Sequence, residues 1–153
     1  MTEPFSFGSA SPRLSLPLLF AGQAQKEVFV NEAHALIDAL LHCVIEGEAD
    51  DPPVTPQDGT SWLIGTSPGG DWTGQAGRLA CRQAGNWLFI APYDGLQVVD
   101  RVTGQQQRYL DGWRIAEQPG EPIGGSIVDS QARAAISQLF AALRVAGIFP
   151  DIA

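Results

Sequence analysis

Positive charge is scarce in this sequence: nine Lys and Arg stand against 17 Asp and Glu, a net charge of −8. Such a chain is poorly suited to neutralising phosphates over an extended surface, which argues against a nucleic-acid binder. Charge of either sign is sparse, at 17% of residues, while 44% are apolar. That balance argues against disorder, and the shortage of charge points to surfaces buried against other subunits. Long apolar runs are missing too. Near the start, the run from Leu14 to Ala21 is interrupted by Pro17 and falls far short of the roughly 20 residues needed to cross a bilayer. The first ten residues hold Glu3 and neither Lys nor Arg, unlike a secretory leader, so a cytoplasmic product is expected. The two cysteines, Cys43 and Cys81, lack CxxC spacing and read as buried free thiols.

Catalytic patterns are equally thin. Both histidines, His34 and His42, fall on the first expected helix, and neither G-x-S-x-G nor H-E-x-x-H occurs. The glycine-rich stretch Gly65 to Gly70 has no P-loop lysine and no G-x-G-x-x-G spacing. Glu46, Glu48, Asp50 and Asp51 lack the glycine and ligand alternation of an EF-hand and read as a solvated loop. Asp71, Asp94, Asp100 and Asp111 lie in or beside turns, where carboxylates are ordinarily solvated. His34, Asp38 and His42 recur every four residues, a spacing that lines metal ligands along a helix but equally gives ordinary helix-surface pairs. The chain is therefore expected to have no catalytic centre, cofactor or metal.

What is present is a sequence of 153 residues, enough for one compact domain. Residues 1–13, with Phe5, Phe7 and two prolines but no period, read as an extended arm, either a frayed terminus or one whose phenylalanines dock on a neighbouring subunit. From Gln23 to about Ile45, apolar residues at Val28, Phe29, Ala33, Leu36, Ile37, Leu40, Leu41 and Val44 recur every three or four positions. This spacing predicts an amphipathic helix with that stripe facing inward and Lys26, Glu32 and Asp38 on the opposite face, ending before Gly47. Six β-type runs follow, at 61–64, 78–81, 87–90, 96–99, 107–110 and 113–115. They are separated by turns at Ala84-Gly85, Asp94-Gly95, Thr103-Gly104 and Asp111-Gly112. After a linker over 118–128, Asp129 or Ser130 can cap a second helix striped by Ala132, Ala135, Ile136, Leu139, Phe140 and Leu143 and stopped by Gly147. The prediction is an α+β fold: an amino-terminal amphipathic helix with a small antiparallel sheet or barrel over 14–117, then a carboxy-terminal helix and tail over 129–153.

Trp72, Trp87 and Trp113 each follow a turn glycine by one or two residues. Such indoles either cap a sheet or offer a stacking face to sugar rings. Trp72, in the glycine-rich loop, and Trp113 are the candidate carbohydrate contacts. Phe5, Phe7, Leu139 and Phe140 are the candidate subunit or capsid contacts.

The segment Leu16-Pro17-Leu18-Leu19-Phe20-Ala21-Gly22-Gln23-Ala24-Gln25-Lys26-Glu27-Val28-Phe29-Val30-Asn31-Glu32-Ala33 resembles the opening of a domain of unknown function common in alphaproteobacterial prophages and gene transfer agents. Asp58-Gly59-Thr60-Ser61-Trp62-Leu63-Ile64 and Gly85-Asn86-Trp87-Leu88-Phe89 fit its later pattern, so the likeness spans about residues 12–117. The resemblance implies a virion component assembled in the bacterial cytoplasm, a head-spike base subunit that supports adhesion to host capsular polysaccharide. Its implied partners are further copies of itself as a pentamer or trimer, a capsid protein and a spike fibre protein. A tail-fibre-associated carbohydrate-binding module is the alternative. The family offers no catalytic residues to carry over.

Overall fold

A computed structural model describes residues 10–19, 22, 26–125 and 129–151. Its elements are helix α1 (Glu27–Leu40), strands β1 (Val44–Ile45), β2 (Glu48–Ala49), β3 (Ser61–Ile64), β4 (Leu79–Gln83), β5 (Asn86–Ile90), β6 (Gln97–Asp100), β7 (Gln106–Tyr109) and β8 (Trp113–Arg114), and helix α2 (Ser130–Val145). The strands form two four-stranded sheets, ordered β1-β6-β7-β8 and β2-β3-β4-β5. The fold is α+β with helices near both ends, as the sequence predicts, but the sheets are mixed and do not close into a barrel.

The six sequence-predicted runs become β3 to β8, paired antiparallel within their meanders. Ala84 and Gly85 both adopt positive φ, the conformation a two-residue hairpin turn needs to match strand twist. The parallel pairings come from β1 and β2, where the sequence reading ran a helix to Ile45. This short segment serves both sheets. The carbonyls of Cys43 and Ile45 accept from Val99 and Arg101, at 2.9 Å each, while those of Gly47 and Ala49 accept from Leu63 and Gly65, at 3.0 and 2.9 Å. β1 thereby joins β6 and β2 joins β3. Ile45, Leu63, Leu79, Cys81, Ile90, Leu96 and Val98 form the main core together with Ala39 and Cys43.

The helix ends at Leu40 because its last carbonyls have another partner. Arg13 donates from Nη1 to the carbonyls of Asp38 and Ala39, and from Nη2 to that of His42 at 2.9 Å. These bonds satisfy oxygens that a helix terminus leaves orphaned, and His42 turns the chain away at φ 51°.

Arg13 belongs to a segment that lies along α1, and its attachment reverses the expected orientation of the helix. Asp38 is 0% exposed. Its Oδ1 accepts from Ser11 Oγ at 2.7 Å and from the Leu14 N–H at 2.6 Å, and its Oδ2 accepts from the Arg13 N–H at 3.1 Å and Gln83 Nε2 at 3.2 Å. One and two turns earlier, His34 Nδ1 lies 3.0 Å from the Pro17 carbonyl, and Asn31 exchanges two bonds with the Leu19 backbone at 2.8 and 2.9 Å. Glu27 Oε1 accepts from the Gly22 N–H at 3.1 Å. Residues 27, 31, 34 and 38 share one helical face, and they pair backbone groups of a segment with no sheet of its own. Small Ala35 and Ala39 on the buried side leave room for close approach. Residues 10–13, read as part of an arm for a neighbour, thus lie against the chain's own helix; Phe5 and Phe7 lie outside the described residues.

The carboxy-terminal helix is capped as predicted, with Asp129 Oδ1 accepting from the Gln131 and Ala132 N–H groups at 3.0 and 2.9 Å. Its other end closes with Gly147 N–H to the Arg144 carbonyl and Ile148 N–H to the Leu143 carbonyl, a left-handed glycine termination. The Gly147 carbonyl then accepts from the Gln106 N–H at 2.6 Å, which ties this end of the helix to β7.

Burial alone would raise the Asp38 carboxyl, but the bonds from Ser11, Leu14, Arg13 and Gln83 outweigh it and hold its pKa below the ordinary 3.8. Asp38→Ala is predicted to lower the unfolding free energy by about 3 kcal/mol, because four donors lose one acceptor group. The depressed pKa makes the ionised group's contribution complete above about pH 4 and lost as pH falls through the folded value. In urea melts, the gap between wild type and Asp38→Asn should stay constant above about pH 4 and narrow below it.

Candidate functional site

The polar face of α1 is spent inside the chain, so its apolar stripe faces out. Phe29 is 75% exposed, and Val28, Leu36, Ile37 and Leu41 are exposed beside it. Leu36, Ile37, Leu40 and Leu41 line a shallow, open apolar depression of about 330 Å³. This corrects the inward stripe that periodicity predicts. A periodic pattern identifies an apolar face, and it does not say whether the neighbour covering it is the same chain.

The second helix repeats the pattern. Of its described residues only Phe140 is buried, and its ring packs edge-on against Phe149 with centroids 5.8 Å apart. Phe140 is therefore an internal anchor, not the subunit contact expected of it. Leu139, the other α2 candidate, is 56% exposed, and Ile136 and Val145 are exposed with it. Arg144 Nε donates to Gln118 Oε1 at 3.0 Å and Arg133 Nη1 to the Pro122 carbonyl at 3.0 Å, which ties the helix to its own linker.

The tryptophans part from expectation most clearly. Trp72 is 0% exposed; it ends the short 3₁₀ turn Gly70–Trp72 and inserts against Trp87 and Trp62, at centroid distances of 5.2 and 6.3 Å. No sugar can stack on a ring whose faces are taken. The glycines that suggested an open loop are required by crowding: a Cβ at Gly65 would strike the Asp50 carboxylate, and one at Gly69 that of Asp51. Asp50 Oδ1 accepts from the Ser67 N–H at 2.9 Å and Glu46 pairs with Arg101 at 2.8 Å, so this acidic run, with Glu48, Asp50 and Asp51 exposed, also organises neighbouring turns. Trp113 is half-buried, donates from Nε1 to the Gly77 carbonyl at 2.9 Å and meets Tyr109 edge-on at 5.5 Å. It acts as the sheet-capping indole of the two readings, and is not a free platform.

The helical trio His34, Asp38 and His42 does not form a metal-binding group either. Asp38 and His34 are engaged with the amino-terminal segment, and His42 lies beyond α1 in a left-handed turn. Among the described residues no three His, Cys, Asp or Glu side chains gather as metal ligands, and no helix is long and apolar enough to cross a membrane. Cys43 and Cys81 are free and buried. Burial pushes their thiols up to about 11 and about 12, so both stay protonated at neutral pH and are poor nucleophiles.

Residues 30–125, more than half of the chain, match the model of a family described as Protein of unknown function (DUF2793). The chain belongs to this family. No curated protein matches it. In this DUF2793 member the matched stretch begins within α1 and takes in all eight strands, while α2 lies outside it. The candidate functional surface is accordingly the outward face of α1, with the outward face of α2 as a second, separately encoded one.

The packing of Trp72 yields a test of its structural role. Trp72→Ala is predicted to destabilise the fold by about 3–5 kcal/mol, the cost of removing a buried aromatic. Trp72 Nε1 has no hydrogen-bond partner among the described residues, so Trp72→Phe forfeits no bond and should recover more than half of that loss. Thermal melts of the two variants read the difference; equal, negligible losses would contradict the buried placement.

Proposed function

We propose that this chain is a structural virion subunit, the base of a head spike on a gene transfer agent or phage-like particle, and that it works by self-assembly and not by catalysis. The observation that carries the reading is the exposed apolar stripe of α1, with Val28, Phe29, Leu36, Ile37 and Leu41 turned away from their own core. Contiguous apolar surface of this kind is rare on a soluble monomer and marks an interaction site. A second copy of the chain is the proposed occupant. Each copy presents two outward apolar helix faces, and contact between unlike faces of successive copies builds a ring when the rotation closes.

The resemblance of the opening segment to gene transfer agent and prophage domains supports the virion assignment. On that reading a trimer or pentamer sits on the capsid protein, carries the spike fibre protein and supports adhesion to capsular polysaccharide, many copies turning weak contacts into firm attachment. Light scattering of the purified protein at micromolar concentration should report an oligomer. Ile37→Glu with Leu41→Glu should reduce it to monomers that stay folded by far-UV circular dichroism, since both positions are exposed on the single chain. Immunogold labelling of purified particles should mark the head. A wild-type monomer at all these concentrations, or labelling absent from particles, would overturn the proposal.

A further inference from the structure

The outward side of the sheet β1-β6-β7-β8 carries a second feature, independent of the helices. Gln97, Arg108 and Arg114 are successive register partners across β6, β7 and β8, so their side chains stand in one row on one face, and all three are exposed. Val98 and Gln107, the next pair, are buried on the other face. The row opens into a groove of about 390 Å³ that Gln106, Ile115 and Ile148 also line.

Directly opposed side chains in a sheet sit about 5 Å apart, and like charges there repel. Arg108 and Arg114 accept this arrangement in a chain of net charge −8. Among the described residues neither guanidinium has a hydrogen-bond or ion-pair partner, nor does the separate Arg78, whereas Arg13, Arg82, Arg101, Arg133 and Arg144 are all engaged. Two adjacent unpaired guanidiniums present parallel donors matched to a carboxylate. Gln97, next to Arg108 in the row, and Gln106, two residues from it along β7, offer neutral donors and acceptors, which suit hydroxyl groups.

We infer that this groove binds a carboxylate-bearing sugar, one residue of an acidic polysaccharide, with Arg108 and Arg114 on the carboxylate and Gln97 and Gln106 on neighbouring hydroxyls. An acidic peptide is the less fitting ligand. Extended peptides gain affinity by adding along a sheet edge, here that of β8, whereas the row crosses β6, β7 and β8 on the face of the sheet and there offers side chains only. The groove volume lies in the range of small-ligand sites, enough for one or two sugar rings. The inference deepens the adhesive part of the proposed role and places sugar contact on the β6-β7-β8 face, away from the buried Trp72 and the half-buried Trp113.

The test is an amide NMR titration with trigalacturonate, run on the Ile37→Glu, Leu41→Glu protein so that assembly does not enter the readout. Trigalacturonate should shift the amides of Gln97, Arg108 and Arg114, and maltotriose should not. Arg108→Gln and Arg114→Gln should each weaken binding about tenfold or more, the size of one lost charged hydrogen bond; Arg108→Lys, keeping charge without the fork, should fall between. The amide spectrum of each variant reports that it is folded. No shift at about 10 mM trigalacturonate, equal binding of maltotriose, or tighter binding of hexaglutamate to the same residues would each overturn the inference. None of these outcomes bears on the light-scattering result, which reads the helix faces alone.

Discussion

One buried carboxylate organises this molecule. Asp38 takes hydrogen bonds from a side chain and two backbone groups of residues 11–14 and from Gln83 on β4, so it ties the amino-terminal segment, the helix and a sheet together at one point. A buried charge is tolerated only when its lone pairs are satisfied, and here four donors converge on it. The consequence reaches across the helix: with the polar side held inward, only Ala39 and Leu40 of the helix reach the main core, and Val28, Phe29, Leu36, Ile37 and Leu41 are left outside it.

The link between the two sheets rests on a similar economy. Six residues, 44–49, supply the β1 and β2 strands and lend carbonyls to both sheets. Leu63, Leu79, Cys81 and Ile90 from one sheet then meet Ile45, Leu96 and Val98 from the other in a common core. The second sheet is two-faced. Trp62, Ile64, Ala80, Trp87 and Phe89 alternate with those core residues and carry the cluster into which Trp72 is wedged, leaving Trp72 no bare face.

Much of the fold was legible in the sequence because its signals are local. Alternation and turn glycines locate β3 to β8, and an aspartate before an apolar stripe locates α2. β1 and β2 were not legible: two residues each, they exist through parallel partners that lie fifty-five residues away for Val44 and fifteen for Glu48. The facing of α1 was misread for a different reason. Apolar spacing fixes a stripe but not its cover, and the informative sign was the polar set Glu27, Asn31, His34 and Asp38 at helical spacing behind a segment with many backbone groups to pair. Trp72 was misjudged because glycines suggest an open loop, whereas Gly65 and Gly69 are there to admit carboxylates. The arginine row became visible only with strand register, since Gln97, Arg108 and Arg114 are scattered in the chain.

The central claim is that the outer face of α1 is covered by sister copies. Hydroxyl-radical footprinting of Phe29, Ile37 and Leu41 over a dilution series reads it most directly. The account predicts that all three side chains are protected in the concentrated protein and become oxidised as dilution separates the copies. Oxidation that is equally strong at every concentration would contradict it.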